Sequence, residues 1–169
     1  MANIVTTPIV SLVGAYRTIH EGYGRGAAAV NGTKYALNPA VTDSGPPGLA
    51  ASTGGTVLIQ LTAADYAATG TSTFLRLTVI ETQAAVPNAT ITITVGLYPV
   101  TVSGTSYSLG TVVSGSTVAF VNLLANTITS QNSGDFAFPA DGMYCVGFVV
   151  SATMSNGANF HAQLQMRNV

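Results

Sequence analysis

The sequence has very few charged residues. They make up 7% of the 169 residues, and the net charge is -1 at pH 7, whereas an average soluble chain carries roughly 25% charged residues. Disordered segments combine high charge with low hydrophobicity, and this chain is 47% hydrophobic. Five basic residues against six acidic ones exclude a polybasic nucleic-acid-binding surface. An enzyme is not expected either, because hydrolytic sites use carboxylates and histidines that this chain hardly has.

Cysteine and long apolar runs are also scarce. The single cysteine, Cys145, excludes an intrachain disulfide, and its position in the apolar run 143–148 predicts a small buried side chain. No apolar run approaches the roughly 18 residues that span a bilayer, so no membrane partner is expected. No basic residue precedes Arg17, so the start of a secretory signal is not found. We therefore expect the protein to be made in a cytoplasm.

The N-terminal third differs in composition from the rest of the chain. Residues 1–55 hold nine of the 18 glycines and four of the seven prolines, and residues 43–48 read DSGPPG, a sequence that breaks regular structure. Large apolar residues are too few here to form a separate core. We predict an extended N-terminal arm over residues 1–55, with a strand at residues 4–13, and a β-sandwich domain over residues 56–169.

From residue 56 onward the sequence predicts strands. Apolar and polar side chains alternate at residues 73–81, 89–97 and 160–167, as in strands with one buried face. Residues 144–153 are almost continuously apolar, as in a strand buried on both faces, and residues 62–68 predict a short helix. Recurring turn residues between these segments predict an all-β, antiparallel β-sandwich of jelly-roll type. Further short strands are predicted at residues 57–61, 107–113, 117–124 (or a helix there) and 135–138.

The polar faces of the predicted strands indicate self-association. Their outward positions are mostly Thr, Ser, Gln and Asn. Soluble β-proteins usually protect exposed strand edges with Lys, Glu or Pro, and here Arg76 and Glu81 are the rare protecting residues. A monomer with this surface would tend to pair through its edges. We therefore expect a homo-oligomer or a larger lattice that covers much of the surface.

The sequence offers no strong catalytic or metal-binding pattern. His20 and His161 are far apart and lack the spacing of metal ligands, so no metal site and no cofactor is predicted. Asp135 and Asp141 could in principle form a carboxylate pair, but Asp141-Gly142 is typical of a turn. The G-x-S-x-G nucleophile motif does not occur in the sequence. We predict no catalytic residues.

A glycine-rich segment at residues 22–26 favours close backbone contacts over phosphate binding. A phosphate loop follows a strand, opens a helix and contains a lysine, whereas residues 27–30 would form at most one helical turn. The segment is therefore interpreted as part of the arm. Six side chains of the arm are the predicted contacts to a partner: Tyr16, Arg17, His20, Tyr23, Arg25 and Lys34.

A sequence motif near the C-terminus resembles a turn found in trimeric jelly rolls. Residues 136–144 read FAFPADGMY, an aromatic-x-x-Pro-x-x-Gly-x-Tyr pattern between two late strands. It is similar to turns of complement-type and tumour-necrosis-factor-like trimers and of bacteriophage virion proteins. The charge-poor chain looks most like the capsid decoration (cement) proteins of tailed phages. The matching residues have structural roles in the turn: Pro139, Asp141, Gly142 and Tyr144.

This resemblance implies a non-enzymatic structural virion protein. Decoration proteins bind the outer capsid surface as homotrimers, contact the major capsid protein and stabilise the shell, so the protein would be made in the host cytoplasm and located in the virion. The arm would then supply the capsid contacts, since an extended segment covers much surface per residue. Deletion of residues 1–40 would weaken shell binding and leave the sandwich folded.

Three alternatives remain. The first is a phage tail-fibre or adaptor head domain that binds a host receptor, although the sequence has no Trp for sugar stacking and its aromatic residues lie mostly within predicted strands. The second is a carbohydrate-active enzyme on the same fold, for which the sequence offers only the weak pair Asp135 and Asp141. The third is a major shell protein, which in tailed phages is usually a larger α+β chain.

Overall fold

The chain forms ten strands and one short helix in the parts that the structure describes. The computed structural model describes residues 14–25, 29–37, 58–66, 72–83, 90–103, 106–121, 127–154 and 158–169. The strand predicted at residues 4–13 and the break at residues 43–48 lie outside these ranges. The elements in chain order are β1 (Arg17–Arg25), β2 (Tyr35–Ala36), β3 (Ile59–Leu61), α1 (Ala63–Tyr66), β4 (Thr73–Gln83), β5 (Ile93–Ser103), β6 (Ser106–Leu109), β7 (Val118–Phe120), β8 (Ile128–Ala137), β9 (Gly142–Val150) and β10 (Ala158–Asn168).

The strands form two sheets, and all strand pairs are antiparallel. The front sheet has the order β1-β10-β4-β8. The back sheet has the order β2-β9-β5-β6, with β3 also paired to β9 and β7 also paired to β5. The prediction of an all-β, antiparallel sandwich is confirmed.

The core lies between the two sheets and follows the predicted alternation. In β4 the side chains of Leu75, Leu77 and Val79 are fully buried, because every second residue of a strand points to the same face. The rings of Phe148 in the back sheet and Phe160 in the front sheet lie 5.2 Å apart between their centroids. Burial of apolar surface between the sheets is therefore the main force that holds the sandwich together.

The described parts of the N-terminal third belong to both sheets. β1 pairs with β10 along its whole length, and a further hydrogen bond joins Gly14 N to Asn168 O at 2.8 Å. β2 pairs with β9, and Leu37 is 1% exposed in the core. The predicted arm is therefore not confirmed, since residues 17–25 and 29–37 are integral to the sandwich.

A small residue in β1 explains why the composition of the N-terminal third does not reveal its part in the core. A Cβ atom added to Gly22 would lie 2.8 Å from Cβ of Leu37, a separation that real Cβ atoms essentially never show. Glycine in β1 therefore lets the segment 29–37 pack closely against it. The scarcity of large apolar residues in this part of the chain therefore does not mean that it lacks a core, because close approach of Gly22 and Leu37 completes the core here.

Two element boundaries differ from the predictions. β8 begins at Ile128 rather than at residue 135, and most of its side chains are exposed, so it lacks the alternation that would reveal it. Residues 118–120 of the ambiguous segment 117–124 form a strand, and residues 122–126 lie outside the described ranges.

The position of Glu81 also differs from the prediction. The sequence predicts an exposed residue that protects a strand edge, whereas Glu81 is completely buried, because it shares the inward face of β4.

The outer face of the back sheet is covered by the chain itself. Ala36, Tyr98 and Cys145 form a second small apolar cluster there, packed against Leu109 and Val112. These last two residues belong to the cover segment, residues 109–116, which begins at the last residue of β6. Cys145 is buried as predicted, and burial raises the pKa of its thiol to about 12, so the thiol stays protonated at neutral pH.

Candidate interaction surface

The outward side of the front sheet is a polar face that no other described element covers. We call it the front face. The inward side chains of β10 are buried, whereas His161, Gln163, Gln165 and Arg167 alternate with them and are partly exposed. β1 and β4 flank β10 on either side, so their outward side chains extend the same surface.

One end of the front face carries a network that we call the arginine cluster, formed by Tyr16, Arg76, Asp135 and Arg167. The Arg76 guanidinium carbon lies 3.5 Å from the ring centroid of Tyr16, a cation–π contact. The Tyr16 hydroxyl donates to Asp135, and Arg167 forms an ion pair with the same carboxylate. Arg76 also donates to Oε1 of Gln165 at 2.8 Å. The cluster thus connects the start of β1 with β10, β4 and β8.

The cluster shifts the titration of two of its members. The hydrogen bond to Asp135 raises the pKa of the Tyr16 phenol above its ordinary value. Burial acts to raise the pKa of Asp135, but hydrogen bonds from Tyr16 and Arg167 and the positive charges of Arg167 and Arg76 outweigh it and lower that pKa. Asp135 is therefore ionised at neutral pH, and its charge holds the cluster together.

Replacing Asp135 by asparagine tests the contribution of this charge. We expect Asp135→Asn to lower the free energy of unfolding at pH 7 by about 1 kcal/mol, because the ion pair is partly exposed to water. A lowered pKa means that this stabilisation is present above the ordinary value of 3.8 and is lost as the pH falls below it. Urea unfolding at pH 7 and pH 3 measures both effects.

The control is Asp65→Asn in α1. Its carboxylate is exposed and has no side-chain hydrogen bond among the described residues, so we expect a change below about 0.5 kcal/mol. An equal loss in both variants, or an Asp135→Asn effect that is no smaller at pH 3 than at pH 7, would contradict the role of the charge.

The other end of the front face is more apolar, and we call it the aromatic end. The rings of Tyr23 and His161 are stacked, with centroids 4.5 Å apart and an interplanar angle of 3°. Ile80 lies beside His161 in the sheet register and is 38% exposed, and Ile128 is 74% exposed. Glu21 borders this end, where it accepts a hydrogen bond from Nε2 of Gln163 at 2.8 Å. Exposed aliphatic and aromatic groups with a charged border are typical of contact surfaces.

The six predicted arm contacts do not form one surface. Tyr16 and Tyr23 lie on the front face, at opposite ends. Arg17 donates to the sulfur of Met166, and Lys34 donates to the carbonyl oxygen of Gly110 at 2.6 Å, where it holds the cover segment. His20 is largely buried, and burial lowers its pKa to about 4. The sixth residue, Arg25, is the last residue of β1.

The predicted turn residues lie where β8 leads into β9. Pro139 and Asp141 are in the connection, and Oδ1 of Asp141 accepts a hydrogen bond from the Ala63 amide at 2.7 Å. The Tyr144 hydroxyl donates to the carbonyl oxygen of Ala140 at 2.7 Å. Gly142 begins β9 opposite Leu61 of β3. These bonds attach the turn to α1 and to the back sheet.

Comparison with protein-family models, with curated proteins and with solved structures gives no match for this chain. Within the described ranges, no group of three or more His, Cys, Asp or Glu side chains could hold a metal ion. Among the same residues, no helix has the length and hydrophobicity needed to cross a membrane.

Sequence reasoning missed the arginine cluster as a unit. Arg76 and Arg167 were recognisable as charged, outward residues of alternating strands. Their contact with Asp135 depends on the pairing of β4 with β8, and no local pattern in the sequence indicates which strands are neighbours. The sequence therefore indicates which residues point outward on the front face, but it does not indicate which of them are in contact.

Proposed function

We propose that this protein is a non-enzymatic structural protein that assembles as a homotrimer on the outer surface of a bacteriophage capsid and stabilises the shell by contacts with the major capsid protein. The observation that carries the proposal is the strand order. β2 and β3 share one position beside β9, and β6 and β7 share one position beside β5. Counted in this way, eight strand positions have the order 1-8-3-6 in the front sheet and 2-7-4-5 in the back sheet, with the first beside the last. This order supports a jelly roll, a fold used by viral capsid and lectin domains.

The front face supports contact between copies of the chain. The only lysine in the sequence, Lys34, is hydrogen-bonded at the cover segment of the back sheet, so the front face lacks the lysines that usually prevent sheet association. Tyrosine, arginine and isoleucine occupy it instead, and tyrosine and arginine are enriched at interfaces. The face also carries charges of both signs, with Glu21 at one end and the arginine cluster at the other. The Glu21 end of one copy is therefore electrostatically complementary to the arginine cluster of the next copy, and such head-to-tail contacts are the kind that close a trimer.

A contact through the front face replaces the arm in the proposed assembly. β1 is a strand of the front sheet and cannot leave it without breaking its pairing with β10. Contacts repeated three times around a trimer give an avidity that exceeds any single contact. A rigid trimer that touches several shell subunits would thus hold them together without any chemical step.

A charge placed at the aromatic end tests the contact. We expect the wild-type chain to be a trimer by light scattering at micromolar concentration, and Ile80→Lys to be a monomer, since a buried lysine without a partner opposes association. Val102→Lys is the matched control, because Val102 is 48% exposed on β5, away from the front face, and we expect it to remain trimeric. Circular dichroism would establish that both variants are folded. A monomeric wild-type protein would contradict the proposal.

Location in the virion is tested by the copy number in purified particles. Quantitative mass spectrometry against the major capsid protein should give a fixed, high ratio to the shell subunit. A ratio of only a few copies per particle would favour the tail-fibre or adaptor alternative and would lead to receptor-binding assays. Absence from particles would overturn the virion assignment.

A further inference from the structure

A carboxylate lies in the core of this charge-poor protein. Glu81 is 0% exposed and points inward from β4, where it stands in register with Phe160 of β10 and Thr129 of β8. Neither of its carboxylate oxygens has a hydrogen-bond partner among the described residues. Buried acidic groups are normally paired or hydrogen-bonded, so this position is an exception.

No described charged group faces Glu81 from the elements around it. The titratable side chains of β10 and β8, which are His161, Arg167 and Asp135, point to the front face. β4 also packs against β5 and β7; β7 has no titratable residue, and Tyr98 of β5 belongs to the cluster outside the back sheet. Burial alone raises the pKa of Glu81 to about 7, and no counter-charge offsets it.

Burial therefore favours the protonated side chain, and ionisation favours its exposure to water. β8 is the edge strand of the front sheet, so its separation from β4 would give Glu81 a route to water. Its first residue, Ile128, is 74% exposed, so little apolar packing holds this end of β8 in place.

We propose that Glu81 acts as a pH-sensitive catch, which controls the pairing of β8 with β4 at the aromatic end of the front sheet. When Glu81 is protonated, its side chain stays buried and β8 stays paired with β4. When Glu81 is deprotonated, its side chain moves into water and residues 128–130 separate from residues 80–82. The proton passes to solvent. This inference concerns the single chain and is independent of the virion assignment.

Two buried groups act on stability in opposite directions. The unfolded chain releases the Glu81 proton near pH 4.5, whereas the folded chain holds it to about 7, so its stabilising effect is complete below pH 4.5 and lost as the pH rises to 7. His20 has a folded pKa of about 4 against 6.5, so stability is lost as the pH falls from 6.5 to 4. The effects of Glu81 and His20 on the pH dependence of stability therefore offset each other over most of the range between pH 4 and pH 7. Only a comparison of variants therefore isolates Glu81.

Hydrogen exchange of the full-length protein tests the catch. Between pH 5 and pH 8 we expect the protection factors of residues 128–130, corrected for the intrinsic rate, to fall at least tenfold in the wild type. Glu81→Gln should remove this fall, because glutamine has the same shape and does not ionise. Asp65→Asn, which alters an exposed carboxylate of α1 away from the front face, is the control and should behave as the wild type.

Each alternative result is informative. If Glu81→Gln does not fold, Glu81→Leu fills the same apolar site and should also abolish the pH dependence. An equal fall in wild type and Glu81 variants, or a fall spread evenly over all strands, would overturn the proposal. Loss of the trimer with the catch intact would instead contradict only the proposed function.

Discussion

Deletion of residues 1–40 is expected to abolish the folded state. The deletion removes β1, which pairs with β10 over its whole length, and β2, which pairs with β9. It also removes Leu37 and Ala29, both buried in the main core. Loss of two strands and their core contacts exceeds the 5–15 kcal/mol or so that stabilises a typical domain. The far-ultraviolet circular dichroism of the shortened chain should show no sheet signal and no cooperative thermal transition.

A complementation experiment separates this effect from a general loss of solubility. A peptide of residues 14–37 added to the shortened chain should restore the sheet signal, because it supplies both missing strands. The sequence alone predicted a folded sandwich after this deletion. A shortened chain that unfolds cooperatively without the peptide would support the N-terminal arm predicted from the sequence and contradict the pairing of β1 with β10.

Replacement of Gly147 by valine is expected to lower the free energy of unfolding by about 3 kcal/mol. A Cβ atom at residue 147 would lie 2.7 Å from the carbonyl oxygen of Tyr35 and 3.2 Å from the ring of Tyr98. The first of these is a backbone atom of β2, so the clash cannot be relieved by a side-chain rotation. Relief requires β2 to move away from β9 and breaks their pairing. Urea unfolding at pH 7 measures the loss.

Gly142→Val in the same strand is the control. An added Cβ there has only ordinary contacts, the nearest at 3.5 Å from the ring of Tyr144. Valine also favours strands more than glycine does, so we expect a change of less than about 1 kcal/mol. A similar loss at both positions would mean that glycine is needed in β9 for chain conformation rather than for the close approach of β2.

Strands with one buried face could be predicted from the sequence. In β4, β5 and β10 the apolar residues alternate, and the predicted inward residues, such as Leu77, Ile93 and Leu164, are fully buried. The pattern is reliable there because burial on one face constrains every second residue. The same regularity predicted the all-β class.

Strands at sheet edges and in close-packed regions could not be predicted in this way. β1 contains Gly22 where a larger inward residue would be expected, because an added Cβ there would clash with Leu37 of the segment 29–37. β8 is largely exposed, so its composition carries no alternation. The arginine cluster and the aromatic end both depend on strands that are distant in sequence, and their arrangement therefore required the structure.

The adjacency of β1 and β10 gives the molecule a preferred direction of mechanical weakness. Gly14 and Asn168 are hydrogen-bonded at one end of this antiparallel pair, and the ladder bonds run perpendicular to the strands. A tension applied between residues 14 and 168 would therefore load these bonds one at a time and peel β1 from the sheet at low force. A load spread over the front face would instead be shared by four strands at once. A partner bound to the broad face of the front sheet would therefore withstand a higher force than a partner attached through the N-terminal segment.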